Sequence, residues 1–163
     1  MSEQHAIEGL ELDESGAWVA TLQCGHAIHL HHDPPWQVRP GVESAEGREQ
    51  LIGTFVDCVF CAMPALPEGA EVYKETRWMD AASTPKGLLN QHSTKAGTWG
   101  RIVVERGHLV YVIDGEAEAR FVLTSRNAGI IAPEELHHVE PGADCRFKVQ
   151  FLRSERSTYS KWS

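Results

Sequence analysis

Three cysteines and one histidine have the types and the spacing of a metal site. Residues 24–26 read Cys-Gly-His, and residues 58–61 read Cys-Val-Phe-Cys. Each short pair can direct both of its ligand atoms at one ion, and three thiolates with one imidazole form a set that tetrahedral Zn²⁺ prefers. The sequence therefore predicts one structural zinc ion, with four ligands: Cys24, His26, Cys58 and Cys61.

Other histidines and other cysteine chemistries are alternatives to this set. His29 is the alternative fourth ligand, whereas His31 and His32 adjoin Asp33 and two prolines, which favours a solvated or supporting role. A redox Cys-x2-Cys motif is expected near a βαβ pattern, and the sequence has none. Buried, inert cysteines are the remaining alternative, because cysteine is among the most buried residue types.

Composition is typical of a globular protein without a membrane span. The 163 residues are 42% hydrophobic and 23% charged. No apolar run approaches the roughly 20 residues of a membrane-spanning helix, and the first residues are acidic rather than basic and then apolar. We therefore expect a cytoplasmic protein. Cysteine usage agrees, because Cys145 has no partner left for a disulfide and is most simply a core thiol.

The net negative charge of the chain comes entirely from its first 62 residues. Residues 1–62 contain ten Asp and Glu against two Arg, a net charge of −8, and residues 63–163 contain thirteen acidic and thirteen basic residues, a net charge of 0. A zinc module that binds nucleic acid needs Lys and Arg to contact phosphates. The sequence therefore argues against nucleic acid as a partner.

The pattern of the first 62 residues predicts a small β module. Ile7–Leu12 and Ala17–Leu22 flank a cluster of turn formers and read as a β-hairpin, with a third extended piece at 27–31. A short helix is expected within 42–55, with Ser44 as its N-cap. A module of about 60 residues is at the size where a metal often supplies missing stability.

After a linker at 62–69, rich in proline, the pattern is β throughout. Strands are expected at 101–105, 109–113, 121–124, 129–132 and 145–152, with a tight turn at Gly107 between the first two. In the last strand, apolar residues from Cys145 to Phe151 alternate with polar ones. We expect a mainly β chain: a zinc module at 1–62, a closed β-barrel at 63–153 and a polar tail at 154–163.

Two resemblances cover most of the chain. Residues 63–153 contain MPALPEGAEVYKETRWM, GLLNQHSTKAGTWGRIVVERGHLVYVI, GIIAPEELHHVEP and RFKVQF, in that order. This segment resembles the cupin-like domain related to tellurite resistance protein B. Residues 7–61, with CGH, further histidines, PPW and a closing DCxxC, resemble a small uncharacterised bacterial domain. The second resemblance implies no activity.

The cupin resemblance implies a double-stranded β-helix whose interior often holds a metal through histidines. His92 and His137 stand near the positions of the two cupin motifs and are expected to converge inside the barrel. The usual second histidine is replaced by Thr94, and the usual glutamate falls near Gly100. The two histidines therefore bind either a second divalent metal or a small ligand directly. Three further residues are expected to line the pocket: Trp99, Arg101 and Tyr111.

The leading functional hypothesis is a tellurite-resistance-related protein that binds a small molecule or oxyanion in a stress response. The first alternative is a small metal-dependent cupin enzyme, of dioxygenase or isomerase type, that uses His92 and His137. The second is an interaction adaptor whose acidic module docks a basic partner, with a homodimer formed through the cupin domain. Some relatives carry a methyltransferase domain after the cupin, and because this chain ends at Ser163 we do not expect methyl transfer.

Overall fold

The computed structural model describes residues 3–14, 16–30 and 40–154. The chain divides into two compact units, Met1–Ala62 and Met63–Ser163. Within the described residues, no helix has both the length and the apolar character needed to cross a membrane. The predictions for His31, His32 and the Pro-Pro-Trp segment, and for most of the polar tail, lie outside the described residues.

The N-terminal unit contains a small curled sheet of four antiparallel strands. The strands are β1 (Glu3–Leu12), β2 (Trp18–Leu22), β3 (Ala27–His29) and β4 (Phe55–Cys58), in the order β3-β2-β1-β4. The predicted hairpin is confirmed, because β1 pairs with β2 across the turn. Asp13 Oδ1 accepts a hydrogen bond from the Ala17 N–H at 2.9 Å, and Gly16 adopts a φ of 85° that favours glycine.

The described part of this unit also contains two short 3₁₀ helices, Pro40–Glu43 and Val59–Ala62, and one α-helix, α1 (Ala45–Leu51). The predicted N-cap is present, because Ser44 Oγ accepts a hydrogen bond from the Gly47 N–H at 3.0 Å. Gly47 packs directly against the backbone of Gly41, where a Cβ atom would clash. The unit buries few large side chains, with Ile7, Leu22 and Leu30 among the most deeply buried.

The C-terminal unit contains two antiparallel sheets. In its described residues one sheet has the order β10-β7-β8 and the other has the order β5-β11-β6-β9. The strands are β5 (Glu71–Glu75), β6 (Trp99–Arg106), β7 (Leu109–Ile113), β8 (Ala119–Leu123), β9 (Gly129–Ile131), β10 (His137–Pro141) and β11 (Arg146–Arg153). A short helix, α2 (Lys86–Leu89), precedes β6. The sequence pattern did not indicate β5, since its residues are mostly polar and all exposed.

The chain turns at Gly107, as expected, but β6 and β7 do not pair with each other. Strand β6 pairs with β11 and β9, whereas β7 pairs with β10 and β8. Gly107 has a φ of 72°, and a Cβ atom there would lie 2.9 Å from Cys145 Cα. The glycine therefore lets the chain pass from one sheet to the other beside the start of β11.

The predicted alternation in β11 is confirmed as far as Gln150. Phe147 and Val149 are buried, whereas Arg146, Lys148 and Gln150 are partly exposed. The alternation ends there, because Phe151 is only half-buried and Leu152 is buried, where the register with β5 shifts. Cys145, immediately before the strand, is fully buried, as a core thiol should be. Burial also raises the pKa of this thiol to about 11, so that it is uncharged at neutral pH.

A network of charged side chains lies across β10, β7 and β8. His138 Nδ1 is 2.8 Å from Asp114 Oδ2, and its Nε2 is 3.1 Å from Glu140 Oε2. Arg120 lies 3.2 Å from Glu140 Oε1. The hydrogen bond to Asp114 is the main reason that the pKa of His138 is raised, and the contact with Glu140 raises it further. The protonated imidazole therefore stabilises the fold.

We expect His138→Gln to destabilise the protein by about 1 kcal/mol at pH 6 and by less at pH 9. Because the folded-state pKa is raised, this stabilisation is fully present below the unfolded value of about 6.5 and is lost as pH rises through the folded value. Thermal unfolding of both proteins at the two pH values measures the difference. His108→Gln, at an exposed histidine of the same unit, is the control, and an equal Tm gap at both pH values for His138→Gln would contradict the prediction.

Candidate metal centre and ligand cavity

Two turns deliver the four predicted metal ligands to one place. Cys24 and His26 lie in the turn between β2 and β3, where Gly25 has a φ of 94°. Cys58 is the last residue of β4, and Cys61 follows in the 3₁₀ helix Val59–Ala62. The ligand atoms of all four residues lie within 4.8 Å of one another.

The distances within this cluster are those of a tetrahedral site. The sulfurs of Cys24 and Cys58 are 3.8 Å apart. His26 Nδ1 lies 3.5 Å from each of these sulfurs and 3.6 Å from that of Cys61. Ligands at tetrahedral angles around zinc have S···S distances of about 3.8 Å and S···N distances of about 3.6 Å, given ordinary Zn–S and Zn–N bond lengths. The cluster could therefore hold a metal ion such as zinc.

The protonation states of the cluster favour a cation as its occupant. Burial and the neighbouring thiols raise the pKa of Cys61 to about 12, and burial is also the main reason that the pKa of Cys58 is raised. Burial, followed by repulsion from His5, lowers the pKa of His26. The lowered pKa favours the neutral imidazole that can bind a metal, while the thiolates of Cys58 and Cys61 need a nearby positive charge to form.

The structure separates His29 from this cluster. His29 Nε2 lies 2.8 Å from Asp13 Oδ2, at the hairpin turn, and His29 is absent from the group formed by the three thiols and His26. The alternative fourth ligand is therefore directed elsewhere.

Sequence reasoning missed two residues beside the cluster, Glu3 and His5. His5 Nε2 lies 3.5 Å from Cys61 Sγ and 3.1 Å from Glu3 Oε2. The pairing of β1 with β4 places these residues there, with Glu3 opposite Cys58 in the register. These two residues approach the cluster through a long-range strand pairing, which the spacing of short motifs cannot reveal.

The C-terminal unit contains a cavity of about 520 Å³. Its lining combines cationic side chains, hydroxyl groups and two histidines with an apolar surface, and contains no Asp or Glu. The lining residues are Tyr73, Lys74, Leu88, His92, Ser93, Thr94, Lys95, Thr98, Ile102, Ile131, His137, Val139, Val149, Phe151 and Arg153.

The two expected cavity histidines lie side by side. His92 and His137 pair through both backbone hydrogen bonds, at 3.0 and 2.9 Å, and their ring centroids are 4.1 Å apart. Each Nδ1 donates to a backbone carbonyl, that of Asn90 at 2.9 Å and that of Glu135 at 2.8 Å. The proton of each neutral ring therefore sits on Nδ1, which leaves both Nε2 lone pairs available to a ligand or metal.

His137 is held in the neutral form. Its side chain is almost completely buried, and burial is the main reason that its pKa is lowered to about 4. His92 reaches this pair from the segment after α2, which pairs with β10 through an isolated bridge.

The other three residues expected to line the pocket are not part of the cavity lining. Tyr111 is fully buried, and its hydroxyl donates a hydrogen bond to the Ile130 carbonyl at 2.9 Å. Its ring meets the His137 ring edge to face. Arg101 Nε donates to Gln150 Oε1 at 2.8 Å, and Trp99 pairs with Leu152 in the sheet. Lys74 and Arg153 line the cavity instead. They were missed because β5 was not recognised and Arg153 borders the polar end of the chain.

Glu135, near the histidine pair, has a carboxyl oxygen without a hydrogen-bond partner in the described part of the chain. This oxygen, Oε1, is buried and accepts no hydrogen bond from any of the described residues. Burial raises the pKa of this carboxyl. Burial is also the main reason that the pKa of the Tyr111 hydroxyl is raised, and its proximity to Glu135 raises it further. The environment therefore favours the protonated acid.

Comparisons with known families cover both units. Residues 9–65 match the model of a protein family of unknown function, DUF3565, and residues 74–149 match that of the TehB-like domain. No curated protein matches this chain significantly.

Two solved structures share the fold of more than half of this chain. TehB from Haemophilus influenzae is 24% identical over 58% of this chain, with a TM-score of 0.51, and the match spans only 35% of that protein's length. A protein from E. coli strain K12 is 22% identical over 56% of this chain and 98% of its own, also with a TM-score of 0.51. At these identities the likeness concerns the fold alone.

We expect the full-length protein to bind one zinc ion at this cluster, and we expect Cys58→Ser to lose it, because one of the three thiol ligands is removed. The loss should unfold the N-terminal unit while the C-terminal sheets stay folded, and a strong chelator should do the same to the unchanged protein. Metal analysis and amide hydrogen exchange measure the two effects, with exchange of β1 and β2 rising and that of β6 and β11 unchanged. Cys145→Ser is the control, because this thiol is buried in the other unit. Full zinc content in Cys58→Ser, or protected β1 amides in chelator, would contradict the prediction.

Proposed function

Since this chain joins an N-terminal DUF3565 domain to a C-terminal TehB-like domain, we propose that it is a binding protein for a small anion. The first domain is a module stabilised by zinc, and the second holds the anion in its cavity. The observation that carries the proposal is the charge of the cavity lining, which has three cationic side chains and no carboxylate.

Zinc is the proposed ion of the first domain because the donor set is three thiols and one imidazole. Thiolate ligands select soft or borderline ions, and closed tetrahedral sites of this composition are structural rather than catalytic. Because the hydrophobic core of the module is small, the binding free energy of such an ion would contribute to the stability of the fold.

The cavity of the second domain has the features of an anion site, and apolar side chains form the rest of its lining. Lys74, Lys95 and Arg153 supply positive charge, and the hydroxyl groups of Ser93 and Thr98 can donate hydrogen bonds. The Thr94 hydroxyl already donates to the Thr98 carbonyl at 2.8 Å. The Arg153 guanidinium stacks over the Tyr73 ring at 3.8 Å, which limits its freedom before a ligand arrives. Charged donors whose positions are already fixed bind oxyanions strongly, because these side chains lose little conformational entropy on binding.

A cupin-like barrel is the proposed arrangement of the two sheets. The cavity is lined by Ile131 and Val149 of the four-stranded sheet and by His137 and Val139 of the three-stranded sheet. Residues from both sheets thus face one interior, as in a double-stranded β-helix.

An oxyanion as ligand also agrees with the resemblance of this domain to the tellurite resistance family. We extend the proposal to a role in the response to toxic oxyanions, with the cavity as the place of binding. The volume of about 520 Å³ exceeds what one inorganic oxyanion fills, so organic conjugates of such an anion also fit.

A metal-dependent enzyme is the second candidate, and the histidine pair favours it. His92 and His137 both leave Nε2 free, which is the state of a metal-ligating histidine whose other nitrogen is held by a carbonyl. Neither residue belongs to a group of three or more metal-ligating side chains in the described part of the chain. An ion there would therefore keep open positions for a substrate.

For the binding proposal, we expect Arg153→Gln to weaken tellurite binding about 10-fold or more, because one charge-assisted contact is lost. Isothermal titration of the full-length protein with tellurite, and with sulfate for comparison, measures the affinity. Arg146→Gln is the matched control, since Arg146 lies on the same strand but bonds Glu105 outside the cavity. Equal affinities for the two variants would contradict the proposal.

For the enzyme candidate, we expect a divalent ion that is lost in His92→Ala and kept in Cys58→Ser, because the two ions occupy separate domains. Metal analysis of the purified variants measures this. If His92→Ala keeps the full metal content of the unchanged protein, the enzyme candidate is wrong and the cavity binds its ligand without a metal.

A further inference from the structure

We propose that the N-terminal domain binds a second, exchangeable divalent ion, held by Glu3, His5 and Cys61. The sulfur of Cys61 bridges this ion to the zinc of the four-ligand centre. The inference rests on the proposed zinc centre and adds to it a site that no motif spacing indicates.

The three ligand atoms have the geometry of a metal site. Glu3 Oε2, His5 Nε2 and Cys61 Sγ all lie within 4.8 Å of one another. The nitrogen is 3.1 Å from the oxygen and 3.5 Å from the sulfur. Tetrahedral ligands at ordinary zinc bond lengths have N···O distances of about 3.3 Å and N···S distances of about 3.6 Å.

The two sites share one sulfur but use different nitrogens. His26 Nδ1 lies 3.6 Å from Cys61 Sγ, and His5 Nε2 lies 3.5 Å from the same atom. His5 does not belong to the four-ligand cluster, and His26 does not belong to the group with Glu3. The sulfur of Cys61 thus lies close to two imidazole nitrogens, one from each group, as a thiolate that bridges two ions would.

The local charge favours a cation at this position. Three thiolates around one Zn²⁺ leave a net charge of −1, and the Glu3 carboxylate adds another. His5 Nε2 faces both acceptors, and a single N–H there satisfies one of them well, whereas a divalent ion binds the carboxylate, the imidazole and the thiolate together. The whole segment 1–62 has only two basic residues, Arg39 and Arg48, and Arg48 stacks on Trp18 and bonds the Val42 carbonyl.

Exposure distinguishes the second ion from the first. The side chain of Glu3 is 64% exposed and that of His5 is 23% exposed, whereas Cys58 of the four-ligand centre is fully buried. With three protein ligands, one of them exposed, the second ion keeps a position for water and exchanges readily. The domain therefore has a permanent structural ion beside a position that fills and empties with the supply of divalent metal.

Titration of the zinc-free, full-length protein with Zn²⁺ and then Co²⁺ tests the proposal. One equivalent of Zn²⁺ should fill the four-ligand centre, and a second equivalent, of Co²⁺, should bind more weakly and give a thiolate-to-cobalt absorption band through Cys61. We expect His5→Gln to keep the first equivalent and to weaken the second by at least about 100-fold, with loss of the band. Glu3→Gln removes an exposed ligand with little effect on folding, and it should weaken the second equivalent about 10-fold or more. Glu8→Gln, at an exposed position of the same strand, is the control and should bind both equivalents.

The outcomes are distinguishable from failure of the zinc centre itself. A single equivalent in the unchanged protein, a second equivalent kept in both His5→Gln and Glu3→Gln, or a second ion without a thiolate band would each overturn the bridged site while leaving the structural zinc intact. Absence of any tight first equivalent would overturn the zinc centre and the bridged site together.

Discussion

The meeting of two turns around His26 Nδ1 is the contact on which the N-terminal domain depends. The pairing of β1 with both β2 and β4 brings Cys24 and Cys58, 34 residues apart in the chain, to within 3.8 Å. A sheet of four short strands with a small core gains little from burial alone. An ion that binds all four side chains at once fixes the register of β4 and the position of the 3₁₀ helix after it, so the centre and the sheet stabilise each other.

The C-terminal domain is organised around a cavity. The backbone bridge between His92 and His137 ties the segment after α2 to β10, and the two Nδ1–H groups anchor both rings to carbonyls of the same region. Burial keeps His137 neutral. Lys74 of β5 and Arg153 of β11 supply cations to the same lining, and Lys95 follows His92 in the segment after α2. The cavity therefore combines cationic side chains with a neutral imidazole in one lining.

The sequence predicts the features that depend on residues close together in the chain, and it misses those that depend on which strands pair with each other. The two-residue period of β11 and the cap at Ser44 are local, and both are present in the structure. The separation of β6 from β7 is not local, because an apolar alternation reports which face is buried and not which strand lies beside it. The same limit explains the candidate sites. Motif spacing groups the four ligands, whereas His5 and Lys74 enter through strands β1 and β5, whose partners are far away in the chain.

The two domains differ in their electrostatics, and the chemistry proposed for each site follows from this. The first domain has a net charge of −8 and gathers thiols and a carboxylate, which attract divalent cations and repel anions. The second domain has no net charge, so the positive character of its cavity comes from placement alone: acidic residues such as Glu75 and Glu140 form ion pairs outside the cavity lining. The proposed cation sites and the proposed anion site therefore have different surroundings, and an ion of one sign is not attracted to the position proposed for the other.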